Sequence, residues 1–222
     1  NDNFLSFMNV LENIKEYKIK KFFFASSSSV YGDIKKLPVK ETDQLNEKNL
    51  YSMSKTFNEK ISKIYSEKYN LKICGLRFFT VYGEWGRPDM FMMKYISSAV
   101  KKKIFYLYNF GNHKRDFTYI GDVIFFLEKL MKKNIKDNFS ILNISSSKPY
   151  KLQKVMNEIN LFIKKPKIIK SKRDSADVLN THGSNKKLMK IVGKHKFTTL
   201  KIGVRNLCFW YKNYYKLNKI KF

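Results

Sequence analysis

A tyrosine and a lysine four positions apart, Tyr51 and Lys55, are the pair in this sequence whose types and spacing could move a proton. On a helix these side chains lie one turn apart on the same face. A neighbouring ammonium group favours the ionised phenol, so a tyrosine beside a lysine can act as a base well below its usual pKa of about 10. The spacing also arises by chance in lysine-rich helices, so its meaning depends on its context.

A run of hydroxyl side chains lies upstream of this pair, directly after the apolar stretch Phe22-Phe23-Phe24. The run reads Ala25-Ser26-Ser27-Ser28-Ser29-Val30-Tyr31-Gly32. Open parallel sheets bind ligands beyond the carboxyl ends of their strands, so we expect these serines to face a site. The alternative is a serine-rich turn without a chemical role.

The two motifs together resemble the extended short-chain dehydrogenase/reductase family, the NAD-dependent epimerases and dehydratases. In that family a Ser or Thr four residues before the tyrosine of Val-Tyr-Gly acts with Tyr-x-x-x-Lys. The resemblance implies a catalytic triad of Ser27, Tyr51 and Lys55, and an NAD cofactor. The residues it implies around NAD are Ser26, Tyr51, Lys55, Phe78 and Thr80.

Hydrophobic patterns predict helices alternating with strands. Apolar residues at helical spacing predict an amphipathic helix over 4–18. Further helices are expected at 51–69, 90–102, 121–133, 151–163 and 199–215, and strands at 21–26, 72–79 and 139–144. This α/β order predicts the C-terminal part of a doubly wound Rossmann-type parallel sheet, from residues 1–83 and 117–146. Residues 84–116 and 147–222 are expected to form a smaller α/β substrate-binding lobe.

The glycine-rich turn of a dinucleotide-binding fold is missing from the sequence. Such a fold opens with a strand, a Gly-rich turn and a helix, but the nine glycines form neither Gly-x-x-Gly-x-x-Gly nor Gly-x-Gly-x-x-Gly. Compared with the family, roughly the first third is expected to be absent, so the chain is a fragment or is completed by another chain. No residue here can be assigned to the pyrophosphate of the cofactor.

A second segment is similar to the UDP-glucuronate 4-epimerase group of the family. It reads Arg77-Phe78-Phe79-Thr80-Val81-Tyr82-Gly83-Glu84-Trp85-Gly86-Arg87-Pro88-Asp89-Met90. Glu84 stands where the group usually has proline, and a turn can form without it. The guanidinium fork of Arg87 suits a carboxylate, so we expect Arg87 to bind an acidic sugar. An ordinary surface arginine is the alternative.

A third segment extends the resemblance. It reads Tyr108-Asn109-Phe110-Gly111-Asn112-His113-Lys114-Arg115-Asp116-Phe117-Thr118-Tyr119-Ile120-Gly121-Asp122-Val123. The resemblance implies that Arg115 contacts the nucleotide diphosphate, and that Ser28, Ser29 and Thr80 also bind substrate. Asp122 is expected to cap the helix that follows. A looser similarity continues through Arg173-Asp174 to Trp210-Tyr211.

The resemblance implies 4-epimerisation of a nucleotide sugar, from UDP-glucuronate to UDP-galacturonate. Tyr51 would take the proton of the sugar 4-hydroxyl while hydride passes to NAD, and the 4-keto sugar would then receive hydride on its other face. Ser28 and Ser29 stand where family dehydratases carry an acidic pair, which disfavours elimination. A neutral UDP-hexose 4-epimerase or a related dehydratase or decarboxylase remains an alternative. The non-enzymatic alternatives are a truncated remnant and a basic RNA-binding protein.

Composition adds expectations about location and partners. The net charge of +27 comes from lysines spread along every segment, which favours a compositional bias over one nucleic-acid-binding face. Cys74, Cys208 and the three histidines lack metal-site spacing, so no metal is expected. Without a membrane span or a signal peptide, we expect a cytoplasmic protein. We also expect a homodimer at full length and no specific binding of nucleic acid.

Overall fold

The computed structural model of the chain describes residues 2–172 and 178–217. The helices of this part are α1 Asp2–Glu16, α2 Leu50–Tyr69, α3 Phe91–Val100, α4 Ile120–Lys132, α5 Leu152–Asn160, α6 Lys186–Val192 and α7 Leu200–Tyr214. Its strands are β1 Lys21–Ser27, β2 Lys72–Phe78, β3 Thr80–Tyr82, β4 Phe105–Leu107, β5 Lys114–Tyr119, β6 Phe139–Ile144, β7 Pro149–Lys151 and β8 Ile168–Lys170. Short 3-10 turns follow β1 and β4.

The main sheet is parallel and has helices on both faces. Its order is β1-β2-β6, with Phe24 opposite Gly75 and Gly75 opposite Ile141. One face packs against α1 and α2 in a cluster that includes Leu11 and Phe24. The other face packs against α4 and α6 in a cluster that includes Phe126. The predicted doubly wound arrangement is therefore confirmed, and the carboxyl ends of β1 and β2 lie side by side.

Two smaller sheets lie beside the main one. Their orders are β3-β5-β7 and β4-β8. A separate core packs α3, α5 and α7 against these strands, with Tyr95, Ile96, Val155 and Leu207 all buried. The division into lobes at residues 1–83 with 117–146 and 84–116 with 147–222 stays a prediction.

The long elements are those the sequence predicted, with ends that match or are shifted by at most three residues. The predicted strand 72–79 ends at Phe78, and Phe79 separates it from β3. The three-residue strands β3, β4, β7 and β8 were not predicted, because three residues carry no readable alternation. Strand β5 and the seven-residue helix α6 were missed as well. Arg173-Asp174 lie outside the described residues.

No helix among residues 2–172 and 178–217 is long and apolar enough to cross a membrane. Cys74 and Cys208 are both free thiols, buried in different hydrophobic cores.

Candidate active site

Helix α2 carries Tyr51 and Lys55, and a capping box fixes where it begins. The side chain of Asn49 accepts a hydrogen bond from the Ser52 N–H at 2.9 Å, and the Ser52 hydroxyl accepts from the Asn49 N–H at 3.2 Å. These bonds satisfy backbone donors that a helix start leaves without partners. The buried face of α2 is unusually polar; its buried residues are Ser52, Ser54, Thr56, Asn58, Glu59, Ser62, Tyr65 and Ser66.

Lys55 joins this helix to the end of β1. Its Nζ donates a hydrogen bond to the Ala25 carbonyl oxygen at 3.0 Å and lies 5.7 Å from the centroid of the Tyr51 ring. Partial burial lowers the pKa of Lys55, because the surrounding protein disfavours its charged form. The predicted pair is thus held together beside the serine run.

The serines at the end of β1 and in the turn after it differ in burial and in hydrogen-bond partners. Ser27 caps the 3-10 turn, and its hydroxyl oxygen accepts bonds from the Ser29 N–H at 3.2 Å and the Ser29 hydroxyl at 2.9 Å. Ser26 is buried, and its hydroxyl donates to Oε1 of Glu59. Ser27 and Ser28 are only partly buried.

A cleft of about 590 Å³ lies where β1 and β2 end. Its walls include most of the side chains predicted for a cofactor and a sugar. They are Ser26, Ser27, Ser28, Tyr51, Phe78, Thr80 and Arg87. Lys55 contacts this group through Tyr51, whereas Ser29 is not among the lining residues. We call this space the first cleft.

Arg87 lines the first cleft but is largely exposed, with 71% of its side chain accessible. Its guanidinium makes a forked pair with Asp89, through a bond of 3.0 Å from Nε to Oδ1 and a shorter one from Nη2 to Oδ2. The hydrogen bond to Asp89 raises the pKa of Arg87 and lowers that of Asp89. Arg87 is thus placed to bind a carboxylate, and here it binds one from its own loop.

A second cleft, of about 360 Å³, adjoins the first, because Thr80 and Met90 line both. Arg115 lines it together with Lys94 and His113. Arg115 is held by a bond of 2.8 Å from Nη1 to the Leu179 carbonyl oxygen. Lys94 was missed in the sequence, because one more lysine in a lysine-rich chain carries no signal of its own.

The structure shows a buried ion pair that the sequence motifs did not reveal. Glu59 of α2 and Arg77 of β2 bond through both arms of the guanidinium, at 2.9 and 2.7 Å. The partners lie 18 positions apart, and no short motif links them. The spacing of Glu59 four residues after Lys55 was the available signal, since it places both side chains on one helix face.

The expectation that Asp122 caps a helix is wrong. Helix α4 begins at Ile120, and Tyr119 occupies the N-cap without a side-chain bond. Asp122 lies inside the first turn, where its carboxylate accepts from the Thr198 N–H at 3.0 Å and contacts His195 Nε2 at 2.8 Å. It fastens the segment before α7 onto α4, because a tertiary partner competes successfully for a carboxylate near a helix start.

Comparisons with known proteins agree with this fold and cleft. The model of the NAD dependent epimerase/dehydratase family matches residues 1–145, and the chain belongs to that family. An uncharacterised protein of Methanocaldococcus jannaschii is 37% identical over 94% of the chain, which spans 64% of that relative. UDP-glucuronate 4-epimerase 2 of Arabidopsis thaliana is 32% identical over 96% of the chain, which spans 54% of it.

A solved structure is similar along nearly the whole chain. It is a UDP-glucuronic acid 4-epimerase from Bacillus cereus in complex with UDP-glucuronic acid and NAD. The identity is 25% and the TM-score 0.87, covering 96% of this chain and 68% of that one. The chain therefore spans about half to two thirds of the length of these three relatives.

Proposed function

We propose that the chain is the catalytic and substrate-binding part of an NAD-dependent nucleotide-sugar 4-epimerase that interconverts UDP-glucuronate and UDP-galacturonate. The observation that carries the proposal is the first cleft, which Tyr51, Ser27 and Arg87 all line. A proton acceptor and a carboxylate-binding fork then border one space of sugar size. The named relatives support the same chemistry.

Tyr51 is the proposed proton acceptor for the sugar 4-hydroxyl. Lys55, fixed on the Ala25 carbonyl beside the Tyr51 ring, would stabilise the Tyr51 phenolate, which then takes the proton of the sugar hydroxyl and becomes neutral. Ser27 offers a hydroxyl in the same cleft to hold the sugar oxygen in place. The 4-keto sugar would turn over and receive hydride on its other face, which inverts the carbon, while Tyr51 returns the proton to the sugar oxygen.

The residues of the first cleft suit the nicotinamide end of NAD, which when bound takes hydride from the sugar carbon and gives it back. The cleft lies beyond the carboxyl ends of parallel strands, where such folds bind nucleotides. Phe78 and Thr80 would contact the nicotinamide ring, and Ser26, Tyr51 and Lys55 the adjoining ribose. No Gly-rich turn for the pyrophosphate occurs in the sequence.

The second cleft is the proposed site of the UDP group. Arg115 and Lys94 both line it and supply the positive charge that a diphosphate requires. Because Thr80 and Met90 line both clefts, a nucleotide sugar can extend from one to the other. Ser28 would contact the sugar from the side of β1, whereas Ser29 does not line the first cleft and bonds to the Ser27 hydroxyl instead.

The acidic sugar is assigned through Arg87. A 4-keto sugar with a neighbouring carboxylate is a β-keto acid, which loses carbon dioxide when the carboxylate aligns with the carbonyl. A fork that holds both carboxylate oxygens restrains that rotation. The substrate must take the place of Asp89 on Arg87, and the exposure of both side chains makes that exchange feasible.

A second copy of the chain is the proposed partner of the complete protein. Helices α1 and α2 both expose large apolar side chains, namely Phe4, Leu5, Val10, Leu50, Met53, Phe57 and Ile64. The rings of Phe4 and Phe57 join the two helices at 5.0 Å. An exposed apolar face of this kind is suited to a symmetric interface.

Analysis of the reaction products tests the sugar assignment. The protein used is the chain completed to the full length of its relatives. We expect the unmutated protein to convert UDP-glucuronate in preference to UDP-glucose. Arg87→Lys should reduce that preference and release some decarboxylated pentose, because lysine cannot form the fork and loss of a charged partner costs about 1.5–3 kcal/mol. The measurement is chromatography of the products from each sugar.

Lys94→Arg is the matched control, because it changes a cation of the second cleft and leaves the sugar end intact. If the unmutated protein epimerises UDP-glucose as readily as UDP-glucuronate, and Arg87→Lys changes neither rate, Arg87 has no carboxylate role. The neutral UDP-hexose epimerase then replaces the proposal.

A further inference from the structure

Glu59 lies on the same face of α2 as Tyr51 and Lys55 but does not line either cleft. Its carboxylate is buried with Arg77, the two side chains being 6% and 4% exposed. The guanidinium fork of Arg77 contacts both carboxylate oxygens, Nε to Oε1 at 2.9 Å and Nη2 to Oε2 at 2.7 Å. The pair therefore joins the helix of the proposed base to the middle strand of the main sheet.

The same carboxylate also fastens the helix to β1. Ser26 donates its hydroxyl to Oε1 of Glu59, and one turn earlier Lys55 donates to the carbonyl of Ala25. Two neighbouring turns of α2 are thus bonded to two neighbouring residues of β1. Ser27, the third member of the proposed triad, is the next residue along that strand.

Arg77 is itself fixed from its other side. Its Nη1 donates to the Tyr31 hydroxyl at 2.8 Å, and Tyr31 donates onward to Oδ1 of Asn143 at 2.7 Å. Burial raises the pKa of Tyr31 to about 12, so the phenol keeps the proton that it donates. The guanidinium therefore has partners on α2, on the turn after β1 and, through Tyr31, on β6.

A buried ion pair of this kind contributes little net stability. Taking two charges out of water costs several kcal/mol per ion in effective terms, and apolar residues of similar volume often serve the fold equally well. The pair instead fixes the orientation of α2 relative to β2, because a forked bond sets both the distance and the angle between its partners. A catalytic helix benefits from this, because a shift of about 1 Å can lower a rate by about a hundredfold.

We propose that Glu59, oriented by Arg77, is a positioning residue that sets α2 against the end of β1 and so places Tyr51 and Lys55 opposite Ser27. Its effect on turnover rests on the proposed function, whereas its effect on the position of Lys55 does not.

The first test separates positioning from stability. Glu59→Leu combined with Arg77→Met removes both charges and leaves apolar side chains in their place, so the fold should persist. At the full length of the relatives, we expect kcat for UDP-glucuronate to fall about 10- to 100-fold with little change in KM. A folded double variant, verified by circular dichroism and urea unfolding, with unmutated kcat would overturn the proposal.

The second test needs neither cofactor nor sugar. Lysine amines of residues 1–222 are methylated with ¹³C and titrated by NMR, with Lys55→Arg identifying the Lys55 signal. Burial lowers the pKa of Lys55, so Glu59→Gln should raise that pKa toward the ordinary value if α2 moves away from β1. Loss of a nearby carboxylate without movement would lower it instead. An unchanged or lower pKa contradicts the proposal.

Glu67→Gln is the control for both tests, because Glu67 lies on the same helix in an exposed pair with Lys63. It should change neither kcat nor the Lys55 pKa. If Glu59→Gln does not fold, the double variant is used for the titration. If the full-length unmutated protein turns over no nucleotide sugar, the proposed function fails while the titration still decides whether Glu59 positions α2.

Discussion

At the scale of single residues, the proposed chemistry depends on a lysine whose position is unfavourable for the fold. Partial burial lowers the pKa of Lys55, which means that folding disfavours its charged form. The cost to stability is complete below the folded-state pKa, and it disappears as pH rises through that pKa toward the ordinary value of 10.5. The protein carries this cost wherever Lys55 stays charged in the folded state.

We predict that Lys55→Met abolishes turnover without lowering stability at pH 7. Ala25 is an exposed residue, so we expect its carbonyl to bond to water instead, while the partly buried charge is gone. Thermal unfolding should show a Tm equal to or above that of the unmutated chain. Any advantage of the variant should shrink as pH rises through the lowered pKa of Lys55 toward the ordinary value of 10.5. A large drop in Tm at pH 7 would mean that Lys55 is mainly structural.

The residues that act directly could be predicted, and those that hold them could not. Tyr51, Lys55 and Ser27 belong to short motifs whose spacing is readable. Glu59 and Arg77 bond across the fold, and the sequence does not specify which buried carboxylate meets which arginine. Asp122 was predicted from its neighbours in sequence to cap a helix. In the structure its partner comes from a distant segment, at Thr198.

At the scale of elements, α2 combines a well-defined start with a polar buried face. The sequence predicted its extent within one residue. Asn49 caps its start, and Asn70, in the left-handed conformation, caps its end. Strands such as β4 and β8 could not be predicted, since each three-residue strand forms only by pairing with the other. The second cleft, which β4 lines, was therefore anticipated only through Arg115.

Removing the capping side chain should destabilise the chain without touching the clefts. Asn49→Ala leaves the Ser52 N–H without its side-chain partner, and we expect the free energy of unfolding to fall by about 1 kcal/mol. Asn213→Ala, the same change at an exposed position of α7, should have no such cost. Urea unfolding measures both. Equal stability of the two variants would show that the Asn49 bonds do not hold the start of α2.

At the scale of the whole molecule, the first cleft is lined by the ends of β1 and β2 together with β3, and the second cleft is lined by the smaller sheets. The chain spans 64% of its Methanocaldococcus jannaschii relative, and its sequence holds no Gly-rich turn. Catalysis is therefore tested at the full length of the relatives. The net charge of +27 favours approach of an anionic nucleotide sugar at low salt.

The most direct measurement compares the turnover of UDP-glucuronate by Tyr51→Phe with that of the unmutated protein. Both proteins are made at the full length of the relatives. Removing the phenol oxygen should reduce kcat by a factor of about 10² to 10⁴, because proton transfer to Tyr51 accompanies the oxidation of the sugar carbon. Calorimetric binding of UDP-glucuronate should be largely retained, since the fold and Arg115 are unchanged. An unchanged kcat in Tyr51→Phe would contradict the assignment of Tyr51 as the base and with it the proposed active site.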